Sequence, residues 1–493
     1  MSRRPFIYLA VAALVVAPVT TTSAQDGTAQ DGTARRDSTP VTLEQAVARA
    51  IGESQEVRLA RSQVELARTQ VGSARSGAFP QLDAQLGYTR TFASAFSGGG
   101  GFTLPDSLRF EPDSTLPLAD RVKYLEDRAP SAALGGLGAL FGNLPFGQEN
   151  AYSATLVGSQ VLYAGGRVGA ALRIAERFLE SARLNLQEQT ADIELQVRSA
   201  YYRARLAQEL VGISQAAVDQ ATRFLSTERL RREAGVGSEL DVMRAEVALA
   251  NLQPPLIAAV NAAEVATLDL KRLIDLPLDQ PVRLATSLDV PTLLAAPDSA
   301  VSLETLSRRA AIAAEERQVR IREEQVRIAR GGYLPSVNLR MNYGRTLFPS
   351  AIFRFNEDWR TDFTAGVTVS LPILNGGRVR AEVAQAQIAL EQERLRLAQL
   401  REGVQVEYER ARGERVRARS TIEARQRTVE QALRVYDLTV LRYEQGLASQ
   451  LEVTDARLAL LQARTNLAQA VADFQIANAT LARAVGATTY TNP

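Results

Sequence analysis

The chain has 493 residues, neither Cys nor His, and a nearly balanced charge of 57 basic and 55 acidic residues. The lack of Cys and His removes the commonest metal ligands, the usual catalytic base and the usual thiol nucleophile, and it excludes a disulfide framework. A charge so close to neutral argues against nucleic acid as a partner. We expect neither a cofactor nor a metal.

The N-terminus has the pattern of an export signal. A pair of arginines precedes an apolar run over 6–19, and a small-residue cleavage site ends at Ala24. The run is too short to cross a bilayer as a helix, so we predict a signal peptide over residues 1–24. The arginine pair leaves both the Sec and the Tat route open. A polar tandem repeat follows and predicts a disordered leader over residues 25–40.

The mature chain begins with a predicted helix. Thr42 and Gln45 have the spacing of a capping box, and an apolar-periodic run follows them. Pro80 disfavours helical backbone at the residue before it, so we predict one helix from Thr42 to Ser76.

Beyond this helix the apolar period changes to two, which is typical of half-buried strands. Alternation over 82–88 and, less cleanly, over 152–163 predicts two strands of about ten residues, long enough to cross an outer membrane when tilted. An insert rich in Pro and Gly, the loop 94–150, separates them. A loop of this length is expected at the surface. The sequence does not indicate what it contacts.

A Gly-Gly-Arg junction follows the second strand and predicts a sharp turn into a helix, because glycine tolerates positive φ. The junction residues are Gly165, Gly166 and Arg167. A very long helix, a tip over 233–241 and a returning helix over 238–273 are predicted next. Pro254 and Pro255 predict a local break in the returning helix. Four prolines in 276–300 predict a linker.

The same layout recurs at an offset of 211 residues, which indicates an internal duplication. We assign repeat 1 to residues 41–275, repeat 2 to residues 301–486 and a tail to residues 487–493. The second junction consists of Gly376, Gly377 and Arg378. Repeat 2 has a predicted helix that starts at Ser302, two predicted strands and a helical hairpin with its tip over 443–452.

Four strands cannot close a membrane barrel, for which about eight strands are the practical minimum. An open sheet edge in lipid would leave backbone groups without hydrogen-bond partners. If the strands cross a membrane, several chains must therefore combine them, and the long helices then form a hollow ring. The strands taken alone also fit two soluble β-hairpins on one core.

The motifs resemble those of the outer-membrane efflux protein family, the TolC-like outer-membrane factors. The resemblance covers about residues 42–485 and lies in the two junction segments, 161–167 and 371–378, and in the paired tips. It implies a membrane α+β fold: a homotrimer whose chains each give four strands to a 12-stranded barrel in the outer-membrane lipid, continued by a periplasmic α-helical barrel. It further implies a periplasmic adaptor and an inner-membrane pump or secretion ATPase as partners.

The resemblance also implies roles for the tips. The residues matching the family's periplasmic constriction are Asp241, Tyr443, Glu452 and Asp455. The residues expected to contact the adaptor are Gly235, Val236, Ser238, Gly446, Leu447 and Ser449. Ala448 occupies the place of the family's gate arginine. Two complete capping boxes, Ser238 with Asp241 and Ser449 with Glu452, explain these residues, since the acid three positions after each serine reaches back to its amide. Turn geometry explains the glycines, so neither set requires a role in transport.

Three functional classes compete. The first is a passive export duct of an efflux or type I secretion system, in the outer membrane with a periplasmic extension. The second is a trimeric coiled-coil stalk without transport, which the four internal strands disfavour. The third is a soluble periplasmic hydrolase, which the missing His and the missing phosphate-binding loop disfavour. The cargo, whether drug, metal or protein, is not encoded in any recognisable motif.

Overall fold

The computed structural model describes residues 39–93, 113–127, 149–286, 302–349, 352 and 358–486. Several predicted segments lie wholly or partly outside these residues: the signal peptide, the leader up to residue 38, the loop residues 94–112 and 128–148, the linker beyond residue 286, and the tail.

The first half of the chain contains, in order, β1 (Thr39–Val41), α1 (Leu43–Glu53), α2 (Gln55–Ser76), β2 (Gln81–Arg90), β3 (Asn150–Ala164), α3 (Arg167–Glu233), α4 (Glu239–Ala250) and α5 (Gln253–Leu273). The second half contains β4 (Val282–Leu284), α6 (Leu303–Ser307), α7 (Ala310–Arg330), β5 (Ser336–Leu347), β6 (Arg360–Ser370), α8 (Arg378–Glu444) and α9 (Gln450–Val485).

Two helices dominate the molecule. Both α3 and α8 have 67 residues, and their boundaries differ by the offset found in the sequence. At 1.5 Å per residue each is roughly 100 Å long. The returning helix α9 is continuous, whereas its counterpart is divided into α4 and α5 just before Pro254 and Pro255. The prolines occupy the first turn of α5, where the missing N–H groups cost no intrahelical hydrogen bond. The predicted local break is confirmed.

The prediction of one helix from Thr42 to Ser76 is wrong. Ser54 has extended backbone between α1 and α2, and its hydroxyl accepts a hydrogen bond from the amide of Val57 at 3.3 Å. A serine whose side chain caps a new helix competes with continuation of the old one. The helix after Ser302 is also divided, at Arg308 and Arg309, although no side chain caps the second part.

The linker and the end of the leader form a small sheet that the sequence did not predict. Thr39 pairs with Val282 in a parallel ladder between β1 and β4. The assignment of residues 39 and 40 to a disordered leader is therefore wrong. The buried Tyr201 fixes this sheet to α3, because its hydroxyl donates to the carbonyl of Val41 at 3.0 Å and accepts from the amide of Thr286 at 3.1 Å.

The largest hydrophobic core lies beneath this small sheet, where α1, α3 and α5 meet. Its fully buried side chains include Ile51, Ile193, Val197, Leu270 and Ile274. The core lies part-way along the long helices and fixes the short helices against them.

The remaining four strands form an antiparallel sheet in the order β2-β3-β5-β6. Apolar positions share a face and are in register across it: one row consists of Ala84, Leu156, Tyr343 and Phe363. This face is open to the surroundings in the single chain, since Phe363 is 66% and Leu86 is 86% exposed. The outer strands β2 and β6 each have one unpaired edge.

The described part of the 94–150 loop differs from the prediction in two places. Asn150 is already the first residue of β3, and its amide oxygen accepts a hydrogen bond from the Tyr88 hydroxyl at 2.8 Å. Residues 118–127 form a helix within the segment that was predicted to be irregular.

Both junctions turn from strand to helix through two glycines with positive φ. The values are 61° and 78° at Gly165 and Gly166, and 59° and 82° at Gly376 and Gly377. A β-carbon on Gly165 would also lie 2.6 Å from the carbonyl oxygen of Gly331, so this position requires glycine for space as well as for conformation. Arg167 donates to the carbonyl of Ala164 at 3.0 Å, and Arg378 pairs with Glu382 at 2.6 Å.

A buried ion cluster joins the two halves of the chain. Arg309, whose side chain is 3% exposed, lies 2.6 Å from Glu188 on α3 and 2.7 Å from Glu407 on α8. Arg483 on α9 pairs with both of these glutamates and, at 2.7 Å, with Asp192. Three long helices and the start of α7 are therefore held at one level by two arginines.

Further along α7 and α8, Glu315 on α7 faces Glu393 on α8. Burial and a hydrogen bond with Glu393 raise the pKa of Glu315 above its usual 4.5. Against the effect of burial, hydrogen bonds from Arg322 and Glu315 lower the pKa of Glu393. One proton shared by two adjacent carboxyl groups has this effect.

The shared proton predicts a pH-dependent contact. A carboxyl group with a raised pKa in the folded state stabilises fully below pH 4.5, and this contribution is lost as the pH rises through the folded value. We expect Glu315→Gln, which keeps a donor facing Glu393, to be neutral near pH 4.5 and progressively stabilising towards pH 8. Unfolding midpoints of both proteins across this range test it. A constant difference would show that the proton is not shared.

Candidate functional site at the helical tips

The two helical hairpins end in matching turns. α3 ends at Glu233 and α8 at Glu444, and Gly235 and Gly446 then adopt positive φ of 76° and 74°. The residue after each glycine closes the turn with a backbone hydrogen bond. The amide of Val236 donates to the carbonyl of Arg231 at 2.9 Å, and the amide of Leu447 donates to the carbonyl of Arg442 at 2.8 Å. Such geometry satisfies the last carbonyls of a helix. It also leaves two apolar side chains, Val236 at 69% and Leu447 at 65% exposed, at the extreme end of the molecule.

The returning helices begin with serine caps. Ser449 and Glu452 form a complete capping box, in which the carboxylate accepts from the Ser449 amide at 3.1 Å. Ser238 and Asp241 form only half of one. The Asp241 carboxylate accepts from the Ser238 hydroxyl at 2.7 Å, because its side chain is one carbon shorter and does not reach the amide. The prediction of two complete boxes is therefore wrong for the first tip.

Tyr443, a predicted constriction residue, connects the two hairpins. Its ring centre lies 5.6 Å from that of Phe224 on α3, and the Arg231 guanidinium lies 5.0 Å from the ring centre. Burial, followed by hydrogen bonding with and repulsion from the Glu228 carboxylate, strongly raises the pKa of Tyr443. The phenol is therefore protonated at physiological pH and acts as a donor towards Glu228.

Asp241 is close enough to contribute to the raised pKa of Tyr443, but its effect is the smallest of those acting on the phenol. The predicted network of Asp241 and Tyr443 is thus brought together, with Glu228 as the tyrosine's main partner. A second link lies nearby, where the side chain of Gln450 donates to the carbonyl of Asp241 at 2.8 Å.

Glu228 was not predicted from the sequence, although a signal was available. Its side chain is 1% exposed, and one carboxylate oxygen has no hydrogen-bond partner. It follows Ala217, Ala221 and Leu225 at helical spacing, and all three are buried. An acid at a position where the pattern requires an apolar residue is costly to bury, and so it is a candidate for function.

The other two predicted constriction residues are exposed. Asp455 lies one turn beyond Glu452 on α9, and both side chains point away from the packed faces. Hydrogen bonds from the Ser449 amide and hydroxyl lower the pKa of Glu452, which keeps it ionised at neutral pH. The copy-one counterpart of Asp455 is Arg244, which lies 4.0 Å from Asp241. The single chain thus presents two exposed carboxylates on one helix end.

The sequence profile of the outer membrane efflux protein family matches residues 126–275 and 301–487. The chain belongs to this family. The two matched segments contain both Gly-Gly-Arg junctions, both tips and all four predicted constriction residues.

Relatives of this outer membrane efflux protein include the solvent efflux pump outer membrane protein SrpC of Pseudomonas putida, 24% identical over 85% of this chain and 79% of the relative. The pyoverdine export outer membrane protein OpmQ of Pseudomonas putida is 26% identical over 69% of this chain and 71% of the relative.

Two solved structures share the fold. The open state of the MtrE outer membrane channel of Neisseria gonorrhoeae gives a TM-score of 0.69 at 19% identity, over 90% of this chain and 88% of that one. The outer membrane protein VceC of Vibrio cholerae gives 0.68 at 17% identity, over 90% and 96%.

No helix in the described ranges is both long enough and apolar enough to cross a membrane.

Proposed function

We propose that this outer membrane efflux protein is the exit channel of a tripartite efflux or type I secretion system, releasing cargo that an inner-membrane transporter delivers. One observation carries the proposal. A four-stranded sheet with two unpaired edges and a continuous exposed apolar face leads directly into two 67-residue helices.

The sheet supports assembly of several chains. An unpaired edge in hydrocarbon costs several kcal/mol for each unsatisfied backbone group, so β2 of one chain must pair with β6 of another. Three chains give twelve strands, which suffices for a closed barrel. The cross-strand row of Ala84, Leu156, Tyr343 and Phe363 then faces lipid. Two copies of one strand–helix unit per chain, as the offset indicates, give the trimer a quasi-sixfold layout.

The long helices are the evidence for a tube that continues the barrel. The glycine junctions fix each long helix directly to its strand, so a closed ring of strands imposes a ring of helices. Such a ring encloses a passage rather than a core. The protein is then a passive duct in the outer membrane with a periplasmic extension, without cofactor or catalytic step, and its partners supply the energy. A coiled-coil stalk would leave the exposed apolar sheet without a purpose.

The tips are the proposed entrance. Tyr443, Glu228 and Asp241 hold the two hairpins of each chain together in the closed form, and Glu452 and Asp455 line the constriction. Three-fold repetition brings like carboxylates near one axis, which favours cations. The proposed contacts of a periplasmic adaptor are the exposed turn residues, which lie farthest along the two hairpins: Gly235, Val236, Ser238, Gly446, Leu447 and Ser449.

Conductance and mass test the channel. Purified protein, extracted from outer membranes, should have the mass of a trimer and should conduct ions in planar bilayers. A monomer that passes no ions contradicts the proposal. A trimer without conductance in any condition favours the stalk.

The carboxylates at the constriction should set ion selectivity. We expect Glu452→Gln combined with Asp455→Asn to remove most of the cation preference, seen as a reversal potential shifted towards zero in a salt gradient. Glutamine still accepts from the Ser449 amide, so the helix cap is kept. Glu304→Gln, at a carboxylate that is 74% exposed on α6, is the control. Unchanged selectivity in the double variant would remove both acids from the constriction.

A further inference from the structure

The apolar face of the four-stranded sheet ends in the same way on two of its strands. The side chains of β2 on this face are, in order, Leu82, Ala84, Leu86, Tyr88 and Arg90. The side chains of β5 on the same face are Val337, Leu339, Met341, Tyr343 and Arg345. Each row is apolar up to a tyrosine and then ends in an exposed arginine.

The two arginines lie at the edge of the sheet that is farthest from the helices. β3 and β6 lead into the glycine junctions, and β2 and β5 are antiparallel to them. The starts of β2 and β5 are therefore beside the junctions, and their ends, with Arg90 and Arg345, are at the opposite edge. Because the long helices are proposed to be periplasmic, this edge is the outer one.

Spacing and register place both arginines at one level. Each lies ten residues after the proline that precedes its strand, Pro80 or Pro335. Tyr88 is opposite Tyr152 on β3, and Tyr152 is opposite Leu347, four residues beyond Tyr343 on β5. Strands that tilt against a barrel axis acquire a stagger of this kind, so residues at equal height are not directly opposite one another.

Each arginine lies over an aromatic ring. The Arg90 guanidinium is 5.5 Å from the ring centre of Phe92, and the Arg345 guanidinium is 5.8 Å from that of Trp359, the only tryptophan of the chain. Aromatic side chains are enriched where a membrane barrel meets water. A ring contact uses none of the five N–H donors of a guanidinium, which leaves them for an acceptor.

This face of the sheet carries positive charge without a balancing acid. Within the described strands, Asp83 and Asp362 belong to the opposite face, and neither Arg90 nor Arg345 pairs with a carboxylate. A phosphate group is the anion that best matches the forked donors of arginine. The outer end of a lipid-facing sheet lies among head groups, so the complementary partner is a phosphorylated lipid.

We propose that Arg90 and Arg345 bind the phosphate groups of an anionic lipid in the outer leaflet. The apolar rows of β2 and β5 contact its acyl chains, and the rings of Phe92 and Trp359 hold the two guanidinium groups at the level of the head groups. Each chain contributes two such arginines to the rim of the barrel. The site rests on the proposed channel, which makes this face of the sheet the lipid-facing one.

Binding of lipid A tests the site, because lipid A can be prepared with and without its phosphates. Purified full-length protein in a non-ionic detergent is titrated with diphosphorylated lipid A, and the lipid that stays bound is measured. Arg90→Gln combined with Arg345→Gln should weaken binding by about tenfold or more, since basic side chains near a membrane attract anionic lipids. Lipid A without phosphates should bind the unmodified protein as weakly as this.

The opposite face of the sheet supplies the matched control. Arg340 and Arg360 are exposed on β5 and β6, and Arg360 also lies over a ring, that of Phe348 at 5.9 Å. Arg340→Gln combined with Arg360→Gln removes the same charge and should leave lipid A binding unchanged.

Several results would overturn the site. These are full binding by the Arg90 and Arg345 variant, equal weakening in the control variant, equal binding of lipid A without phosphates, and displacement of lipid A by millimolar inorganic phosphate, which would assign the arginines to a free anion. In a trimer that conducts ions, each of these results leaves the channel intact. A monomer that passes no ions overturns both the channel and the lipid site.

Discussion

Replacing Tyr443 by phenylalanine should open the closed entrance. The ring contacts with Phe224 and Arg231 are kept, while the buried Glu228 carboxylate loses its donor. A hydrogen bond to a charged group contributes about 1.5–3 kcal/mol. About 1.4 kcal/mol is a tenfold change in an equilibrium constant. The equilibrium between the closed and open forms of each tip should therefore shift towards the open form by about tenfold to a hundredfold. Single-channel recordings should show longer or larger openings.

Two further variants make the expectation specific. Glu228→Gln keeps a neutral acceptor for the phenol and should have a smaller effect in the same direction. Tyr436→Phe removes a hydroxyl seven residues earlier on α8, away from Glu228, and should leave the recordings unchanged. If Tyr436→Phe opened the channel as far as Tyr443→Phe, loosening of the hairpin in general would be the cause.

Replacing Arg309 by methionine should have the largest effect on stability. Arg309 is enclosed between Glu188 and Glu407. Methionine keeps most of the volume of the arginine side chain but removes the positive charge that both carboxylates contact. Removing one partner from a buried ionic cluster costs about 3–5 kcal/mol. Arg483 still contacts both glutamates, which places the expected loss at the lower end, about 3 kcal/mol. Denaturant midpoints followed by helical circular dichroism measure it.

The chain supplies its own control at the preceding residue. Arg308 is 76% exposed and pairs with Glu304 at 2.6 Å on the surface of α6. A pair of this kind contributes less than about 1 kcal/mol, so Arg308→Met should barely move the midpoint. Equal losses in the two variants would show that the cluster does not hold the helices together.

The fold was largely predictable because its signals are local and repeated. Glycine pairs, serine caps and changes of apolar period depend on a few adjacent residues, and the constant offset shows each of them twice. The positions of the two helical tips and the break before Pro254 followed from such signals. Ser54 was missed because a serine inside an apolar-periodic run is compatible with both a continuous helix and a new cap.

The candidate site was predictable only in part. Gly235, Gly446 and the two serines were identified because turn and cap geometry is a property of the local sequence. The partner of Tyr443 was not, since Glu228 is more than 200 residues away and belongs to the other hairpin. The strand Val282–Leu284 escaped for the same reason: it exists only because β1 pairs with it.

The sequence by itself determined the two strand–helix units, their junctions, their turns and the family. These follow from backbone conformations that single residues or short patterns prefer. Only the tertiary structure decided which charges are enclosed and by what. Burial of Arg309 and Glu228 depends on helices that are distant in the chain, and the energy of a charge depends on its neighbours in space. That is why neither residue was predicted from the sequence.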